Sequence, residues 1–298
     1  MGSLNHDLIV GVARLPGRGE TVVGTRTSTG AGGKGANQAA AAAALSPHVA
    51  MIGRVGDDSA GRSLVSDLAS RGVDVSGVLV TRDVVTGTAT VAVEDGSGEN
   101  LIVVAPGANA CLTPADATGE TVRTAQVLLV QLEIPVETVV AAVTATSGLV
   151  VLNPAPPPVA LPPELLAGVD VLVPNEWELS RLAGLDGAAE SLDAVERNAR
   201  AVTAGDVVVT LGARGALVVP RAGAATHVTP PPVQAIDTTG AGDCFCGALC
   251  VSLAEGNGLV AATRFAVAAA ALSTTTEGAR GLLPDAAAVR TVLDTVPD

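Results

Sequence analysis

Asp243 is the residue around which chemistry can be built. It lies in the stretch AIDTTGAGDCFCGAL, residues 235–249, directly after Gly240, Ala241 and Gly242. The small, apolar run over 244–254 predicts a buried helix, which puts Asp243 in its first turn. The first turn of a helix has unpaired N–H groups and a partial positive charge, so it receives anions, and the two glycines let the backbone come close to a phosphate. A carboxylate beside such a cradle can take the proton of an attacking hydroxyl while the cradle holds the group being transferred. Phosphoryl transfer to an alcohol is the chemistry this combination allows. The same residues are also compatible with an ordinary N-capped helix behind a glycine-rich turn.

Lys34 is the second candidate. The chain has 17 basic residues, and Lys34 is its single lysine. One lysine among arginines suits a position that needs a compact ammonium rather than a planar guanidinium. It sits in Gly30-Ala31-Gly32-Gly33-Lys34-Gly35-Ala36-Asn37-Gln38, which runs into an alanine-rich helix through Leu45. Gly30, Gly32 and Gly35 have the G-x-G-x-x-G spacing of a dinucleotide loop, with Asp57 downstream, so a nicotinamide-dependent oxidoreductase is an alternative. Against it, the preceding strand is polar and Lys34 has no part in that fingerprint. A phosphate-binding P-loop is excluded, because Gly35 follows the lysine and Ser28 stands where the first glycine belongs. Lys34 and Asn37 at a helix start are better suited to a polyhydroxylated ligand.

Composition narrows the setting. With 298 residues and 48% apolar content the chain can bury a large core, and a single domain over 1–298 is expected. No apolar run approaches the ~20 residues that span a bilayer, and MGSLNHD lacks the basic and apolar regions of a signal peptide, so a cytoplasmic location is expected. The net charge of −13 argues against nucleic acid or anionic membrane as partner. Cys244, Cys246 and Cys250 fall on one predicted helix at spacings that do not suit a shared metal, and with Cys111 they are expected to be small buried side chains.

These residues need elements to position them. LIVGV and ETVVGTRTST, around the turn 16–19, predict two strands wetted on one face, and GTATVAVEDGSGENLIVV predicts a hairpin turning at 95–98. Together, over about 8–30 and 84–105, they could form a lid, or a plain surface sheet. Between them lie a short buried strand, VAMIGRVG, and an amphipathic helix over 57–71. Beyond residue 110, apolar strands alternate with helices, which implies a parallel sheet covered on both faces, with ligands bound beyond the strands' carboxyl ends. Glu133, Asn153, Asn175 with Glu176 and Glu178, and Thr210 stand at those ends. An alanine helix over 261–273 precedes the loop 274–278.

GAGGKGANQ from 30, GRVGDD from 53, NPAP from 153, PNEWE from 174, TLGARG from 210 and DTTGAGDCFCGAL from 237 together resemble the ribokinase-like carbohydrate kinase family, in order over residues 2–284. The resemblance implies an α/β fold, a Rossmann-like, mostly parallel sheet with helices on both faces and a small β-sheet lid that also joins a homodimer. It implies ATP-dependent phosphorylation of the 5-hydroxyl of D-ribose. Asp243 would be the general base, with Gly240, Ala241 and Gly242 forming the anion hole. Sugar contacts would come from Asn5, Asp7, Gly33, Lys34, Gly35, Ala36, Asn37 and Glu133. Nucleotide contacts would come from Asn175, Thr210, Leu211, Gly212, Ala213, Arg214, Gly215 and Gly242, with Glu178 organising the water shell of ATP-bound Mg²⁺. An activating K⁺ would lie at Asp237, Thr239, Ser273, Thr276 and Gly278, with Leu282 where the family often has a serine. The family also has a buried strand before the segment bearing Asn5 and Asp7. The residues ahead of Asn5 are too few to form it, so either the start lies upstream or the sheet lacks a strand and loses stability. A kinase of the same fold for another sugar or a nucleoside, and a sugar-binding regulator without catalysis, are the remaining alternatives.

Overall fold

In the computed structural model, which describes residues 1–189 and 191–294, the amino-terminal strands stand apart as their own sheet. The last four residues of the expected domain lie outside the described residues. β1 (Asn5–Val12) pairs antiparallel with β2 (Gly24–Gly32) and parallel with a strand reached eighty residues later. In between, α1 (Lys34–Leu45), β3 (Ala50–Gly56), α2 (Ser59–Ser70) and β4 (Asp74–Thr81) form a layer in which β3 and β4 pair parallel. β5 (Gly87–Glu94) and β6 (Asn100–Ala105) then complete the lid sheet in the order β2-β1-β5-β6. The expected strand boundaries shift: β1 begins at Asn5 rather than residue 8, and β2 runs over Gly24–Gly32 rather than 20–29. The reason is pairing, since Asn5 lies opposite Gly32 and the ladder between β1 and β2 extends to both.

The remaining elements build the main body. α3 (Glu120–Arg123) leads to β7 (Val127–Val130), α4 (Val136–Ala145), β8 (Leu149–Leu152), α5 (Pro163–Ala167), β9 (Val171–Leu172), α6 (Glu176–Leu182) and α7 (Leu192–Val202). β10 (Asp206–Thr210), β11 (Ala216–Val219) and β12 (Thr226–Val228) follow, and the chain ends in α8 (Ala241–Ala254), α9 (Leu259–Ser273) and α10 (Ala286–Leu293). The sheet order is β12-β11-β10-β9-β8-β7, parallel from β7 to β10 and antiparallel beyond.

Alternate side chains of these strands serve opposite cores. Val150, Leu152, Leu172, Val207 and Val209 pack with Val139 of α4, Leu179 of α6 and Val195 of α7. Val151, Val171 and Val208 pack on the other face with Phe245 and Leu249 of α8, Ala266 of α9 and Val289 of α10. Strands buried on both faces have no polar side to show, which is why they read as continuous apolar runs.

The first four residues are buried between the two parallel sheets. The Met1 amino group donates to Leu129 O (2.9 Å) and Gly2 N–H donates to Ile52 O (3.0 Å), so this short segment touches β7 on one side and β3 on the other. A cavity of about 280 Å³ lies beside it, lined by Met1, Ile52 and Leu129 among others.

Candidate active site

The site starts from a backbone turn. Gly240, with φ 76°, takes the left-handed conformation just before α8, and a Cβ there would lie 2.7 Å from Ala279 O. Only glycine meets both demands. Asp243 therefore falls in the first turn of α8, as the sequence suggested. Of the residues expected to form an anion hole, Ala241 uses its N–H in a turn to Thr238 O (3.1 Å), and Gly242 is exposed at the edge of a cavity.

Two amides hold the carboxylate. Asn37 Nδ2 donates to Asp243 Oδ2 and Gln38 Nε2 to Asp243 Oδ1, each at 3.0 Å. Both amides come from α1, which can reach α8 because residue 247 has no side chain: a Cβ there would lie 2.7 Å from Gln38 O. Gln38 is anchored in turn by the ends of the parallel strands. Its Nε2 also donates to Asn153 Oδ1 (3.1 Å), its Oε1 accepts from Gln131, and Asn153 Nδ2 donates to Val173 O (2.9 Å). This chain of amides fixes one carboxylate geometry, with Gln131 Oε1 at its far end buried without a partner.

Charge around Asp243 is balanced closely. Burial raises the Asp243 carboxyl above its ordinary value, opposed by the Lys34 ammonium and the two amides, while the Glu133 charge adds to the rise. Burial works to lower Lys34, yet the carboxylates of Asp243, Glu133 and Glu178 together outweigh it and keep the ammonium protonated more firmly than usual. A buried carboxylate that binds a proton more readily than usual, with a cation near it, has the chemistry of a proton acceptor.

Of the residues expected to meet a sugar, the structure gathers most near Asp243. Asp7 on β1 has its Oδ1 buried without a protein partner, and burial first, then the Glu133 charge, raise it to about 6. Glu133 Oε2 accepts from Ser3 Oγ (2.5 Å) and Lys34 N–H (3.2 Å). Gly33, Gly35 and Ala36 are buried at the start of α1, close against the amino-terminal segment: Ala36 N–H donates to Ser3 O (2.9 Å), and a Cβ on Gly35 would lie 2.6 Å from Gly2. Asn5 is buried, and its Oδ1 accepts from Asn109 Nδ2 at 2.7 Å, so a residue the sequence did not single out orients it.

On the other side of Gly242 lies a cavity of about 650 Å³. Thr210, Gly212, Ala213 and Gly215 line one wall, and Thr238, Ala241, Gly242 and Phe245 another. Leu211 instead packs into the core, and Arg214 pairs with Glu176. Asn175 and Glu178 cap α6 reciprocally: Asn175 N–H donates to Glu178 Oε2 (2.8 Å) and Glu178 N–H to Asn175 Oδ1 (2.7 Å). Burial raises Glu178 despite that hydrogen bond and the Lys34 charge. Asp237 ties its own loop to the one after α9: its Oδ1 accepts from Thr239 N–H and Oγ1, and its Oδ2 from Gly278 N–H (2.8 Å). Those bonds outweigh burial and hold Asp237 below its ordinary value. Ser273 Oγ donates within α9 to Ala270 O, and Thr276 Oγ1 is buried without a partner. This oxygen-only set suits a hard cation.

Gln131, Asn109 and Arg280 were missed in the sequence. Gln131 carried a signal, an amide at the end of a buried apolar strand; Arg280, in a loop of small and polar residues, carried none.

The family model of the pfkB family carbohydrate kinases matches residues 1–286. The chain belongs to that family. Among similar pfkB-family proteins, the ribokinases of Haemophilus influenzae and Bacillus subtilis are each 39% identical, with 95% of this chain and 94% of theirs covered. The solved structure of Arabidopsis thaliana ribokinase complexed with ribose and ATP superposes with a TM-score of 0.87 at 34% identity, over 98% of this chain and 96% of that one. The pfkB fold is thus shared along nearly the whole length.

Proposed function

We propose that this chain is a ribokinase, transferring the γ-phosphoryl group of ATP to the 5-hydroxyl of D-ribose. One observation carries this: the Asp243 carboxylate is held by Asn37 and Gln38 between the polar cluster of Asp7, Lys34 and Glu133 and the cavity bounded by Gly242. Sugar hydroxyls need both donors and acceptors; Lys34 and Asn37 supply the first, and Asp7 and Glu133 the second. Asp243 takes the proton of the 5-hydroxyl, the sugar oxygen bonds to the γ-phosphorus, and the bond to the β–γ bridging oxygen breaks as ADP leaves with the electron pair. The backbone of Gly240, Ala241 and Gly242, at the positive end of α8, stabilises the charge on the group in transit. ATP lies in the cavity lined by Thr210, Gly212, Ala213 and Gly215, beside Asn175, which is bridged to Thr210, and the turn that Leu211 and Arg214 complete.

Mg²⁺ would ride on the ATP phosphates near Glu178 and neutralise their charge. K⁺ would sit among Asp237, Thr239, Ser273, Thr276 and Gly278, where the unpaired Thr276 hydroxyl and the loop carbonyls offer oxygen ligands. Leu282 leaves one of the expected ligands to backbone or water. Cytoplasmic residence fits ATP as substrate and the free cysteines. A homodimer through the lid sheet fits the exposed apolar side chains of β6.

The test is ADP release across a panel of pentoses, hexoses and nucleosides, with and without K⁺. D-ribose should give the highest kcat/KM, with K⁺ raising the rate. Equal turnover of ribose and a nucleoside, or no turnover of any sugar, would overturn the proposal.

A further inference from the structure

Arg280 lies in the loop after α9, and its side chain is only 6% exposed. Its guanidinium joins three other parts of the molecule to that loop. Nε–H donates to Asn37 Oδ1 on α1 (2.9 Å), one terminal nitrogen to Asp67 Oδ2 on α2 (2.5 Å), and the other to Gly32 O at the root of the lid (3.4 Å). The loop that carries it is fastened to the phosphate side of the site: Ala279 packs against Gly240, Gly278 N–H donates to Asp237, and Thr274 O accepts from the N–H groups of Ile236 and Asp237.

The Asn37 amide is thereby placed between an all-donor group and an all-acceptor group. A terminal amide has two orientations of nearly equal shape, related by exchanging its oxygen and nitrogen. Arg280 can only donate, so it selects the amide oxygen. The amide nitrogen is then left facing the carboxylate, which can only accept, and it donates to Asp243 Oδ2. Turned over, the same amide would set oxygen against oxygen on one side and nitrogen against nitrogen on the other.

We propose that Arg280 is a positioning residue for the phosphoryl transfer: acting through Asn37, it orients the Asp243 carboxylate and couples the loop behind the anion cradle to the sugar pocket. This rests on the assignment of Asp243 as the base. Arg280 also adds a positive charge to a pocket rich in carboxylates. The charged and titratable groups felt at Asp243 are Lys34 of α1, Asp7 of β1, Glu133 after β7, Glu178 of α6, Cys244 and Cys246 of α8, and Arg280 itself. Arg280 lowers the Asp7 carboxyl against burial and the neighbouring acids.

The test compares Arg280→Met, Arg280→Lys, Asn37→Ala and the double variant Arg280→Met/Asn37→Ala, reading kcat, the KM values for ribose and ATP, the pH profile of kcat/KM, and thermal melting. Arg280→Met should lower kcat about tenfold or more with the KM for ATP unchanged, because a slightly misplaced base loses most of its advantage. The acidic limb of its profile should move up by about half a pH unit, since a cation that favoured ionised carboxylates is gone. Arg280→Lys should restore that limb while leaving kcat low, because the ammonium keeps the charge and loses the fork. The double variant should be no worse than Asn37→Ala alone, within about twofold. A folded Arg280→Met with wild-type kcat and acidic limb overturns the proposal, and so do losses that multiply in the double variant. If Arg280→Met fails to fold, Asp67→Asn replaces it: the same non-additivity with Asn37→Ala supports the role, and an unchanged kcat overturns it. Asp243→Asn serves as the control. Full activity there would sink the base assignment itself, whereas an inactive Asp243→Asn beside an unaffected Arg280→Met sinks only the role given to Arg280.

Discussion

At Asp243 a single proton decides the chemistry, so replacing the carboxylate by an isosteric amide separates binding from turnover. Asp243→Asn should lower kcat by about 10²–10⁴-fold. ATP affinity, measured by calorimetry, should stay within about threefold of wild type; a kcat within tenfold of wild type would remove Asp243 as the base. Asp7 poses the opposite case, an acid whose environment resists its charge. Its carboxyl is raised to about 6 by burial and by Glu133, with Arg280 opposing and Asp243 adding to the rise. The sign follows from which state holds the proton more tightly. The native state does, so the stabilisation from protonated Asp7 is complete below the unfolded value of about 4 and is lost as pH rises through about 6. At pH 8 the ionised group costs stability, and Asp7→Asn should raise the melting temperature there by about 2 °C, with no gain at pH 4; with allowance for partial exposure this corresponds to about 1 kcal/mol. The same substitution should weaken ribose binding, because it exchanges an acceptor for a partial donor. An unchanged melting temperature at pH 8 would mean that solvent reaches the carboxylate and relieves its cost.

Between α1 and α8 the site depends on how closely two backbones approach. Gly247 lets Gln38 and Asn37 reach Asp243, and a Cβ at that position would meet Gln38 O at 2.7 Å and Ala42 N at 2.9 Å. Both contacts are backbone atoms of a helix, which cannot yield without moving α1. Gly247→Ala should cost about 2 kcal/mol in denaturant unfolding and lower kcat disproportionately to KM, since the amides retreat from the carboxylate. If unfolding is unchanged, the helices have slack and the amide geometry does not depend on their packing. The helix start at Asp243 was legible, because a glycine pair before a small-residue run marks a turn and a first helical turn. The strand ends bearing Glu133, Asn153 and Asn175 were legible from the end of each apolar run. α7 was not: only Val195 and Ala199 of its eleven residues are buried, so it offers no apolar run, although Ser191 caps it. Asn109 and Arg280 escaped because each acts across more than ninety residues of chain with nothing local to mark the contact, whereas Gln131, at the end of an apolar strand, could have been read with the other strand-end residues.

Across the whole molecule, the four-stranded lid, with β2 and β6 flanking β1 and β5, leaves its β6 edge uncovered. Leu101, Ile102, Val103 and Val104 of β6 are between 43% and 59% exposed, and successive residues point to opposite faces. The register identifies those faces: Asp7 lies beside Ala89, and Ala89 beside Val104, so Val104 and Ile102 share the face that carries Asp7, while Val103 lies with Leu8 on the back. An apolar edge strand of this kind invites pairing or burial, and with a net charge of −13 two copies attract only where apolar area outweighs repulsion. A second copy of the lid fits these demands, since its own β6 offers the same apolar surface. Ile102→Glu combined with Val103→Glu places a charge on each face of the edge. In light scattering after gel filtration, the wild type should run at twice the chain mass and the double variant at the monomer mass. Because the lid carries Asp7, proposed above to meet the sugar, the monomeric variant should also bind ribose several-fold more weakly, while retaining its affinity for ATP, whose proposed cavity is bounded by Gly242. A wild type that runs as a monomer at micromolar concentration, or a variant that stays dimeric, would show that the lid edge is covered by something other than its own copy.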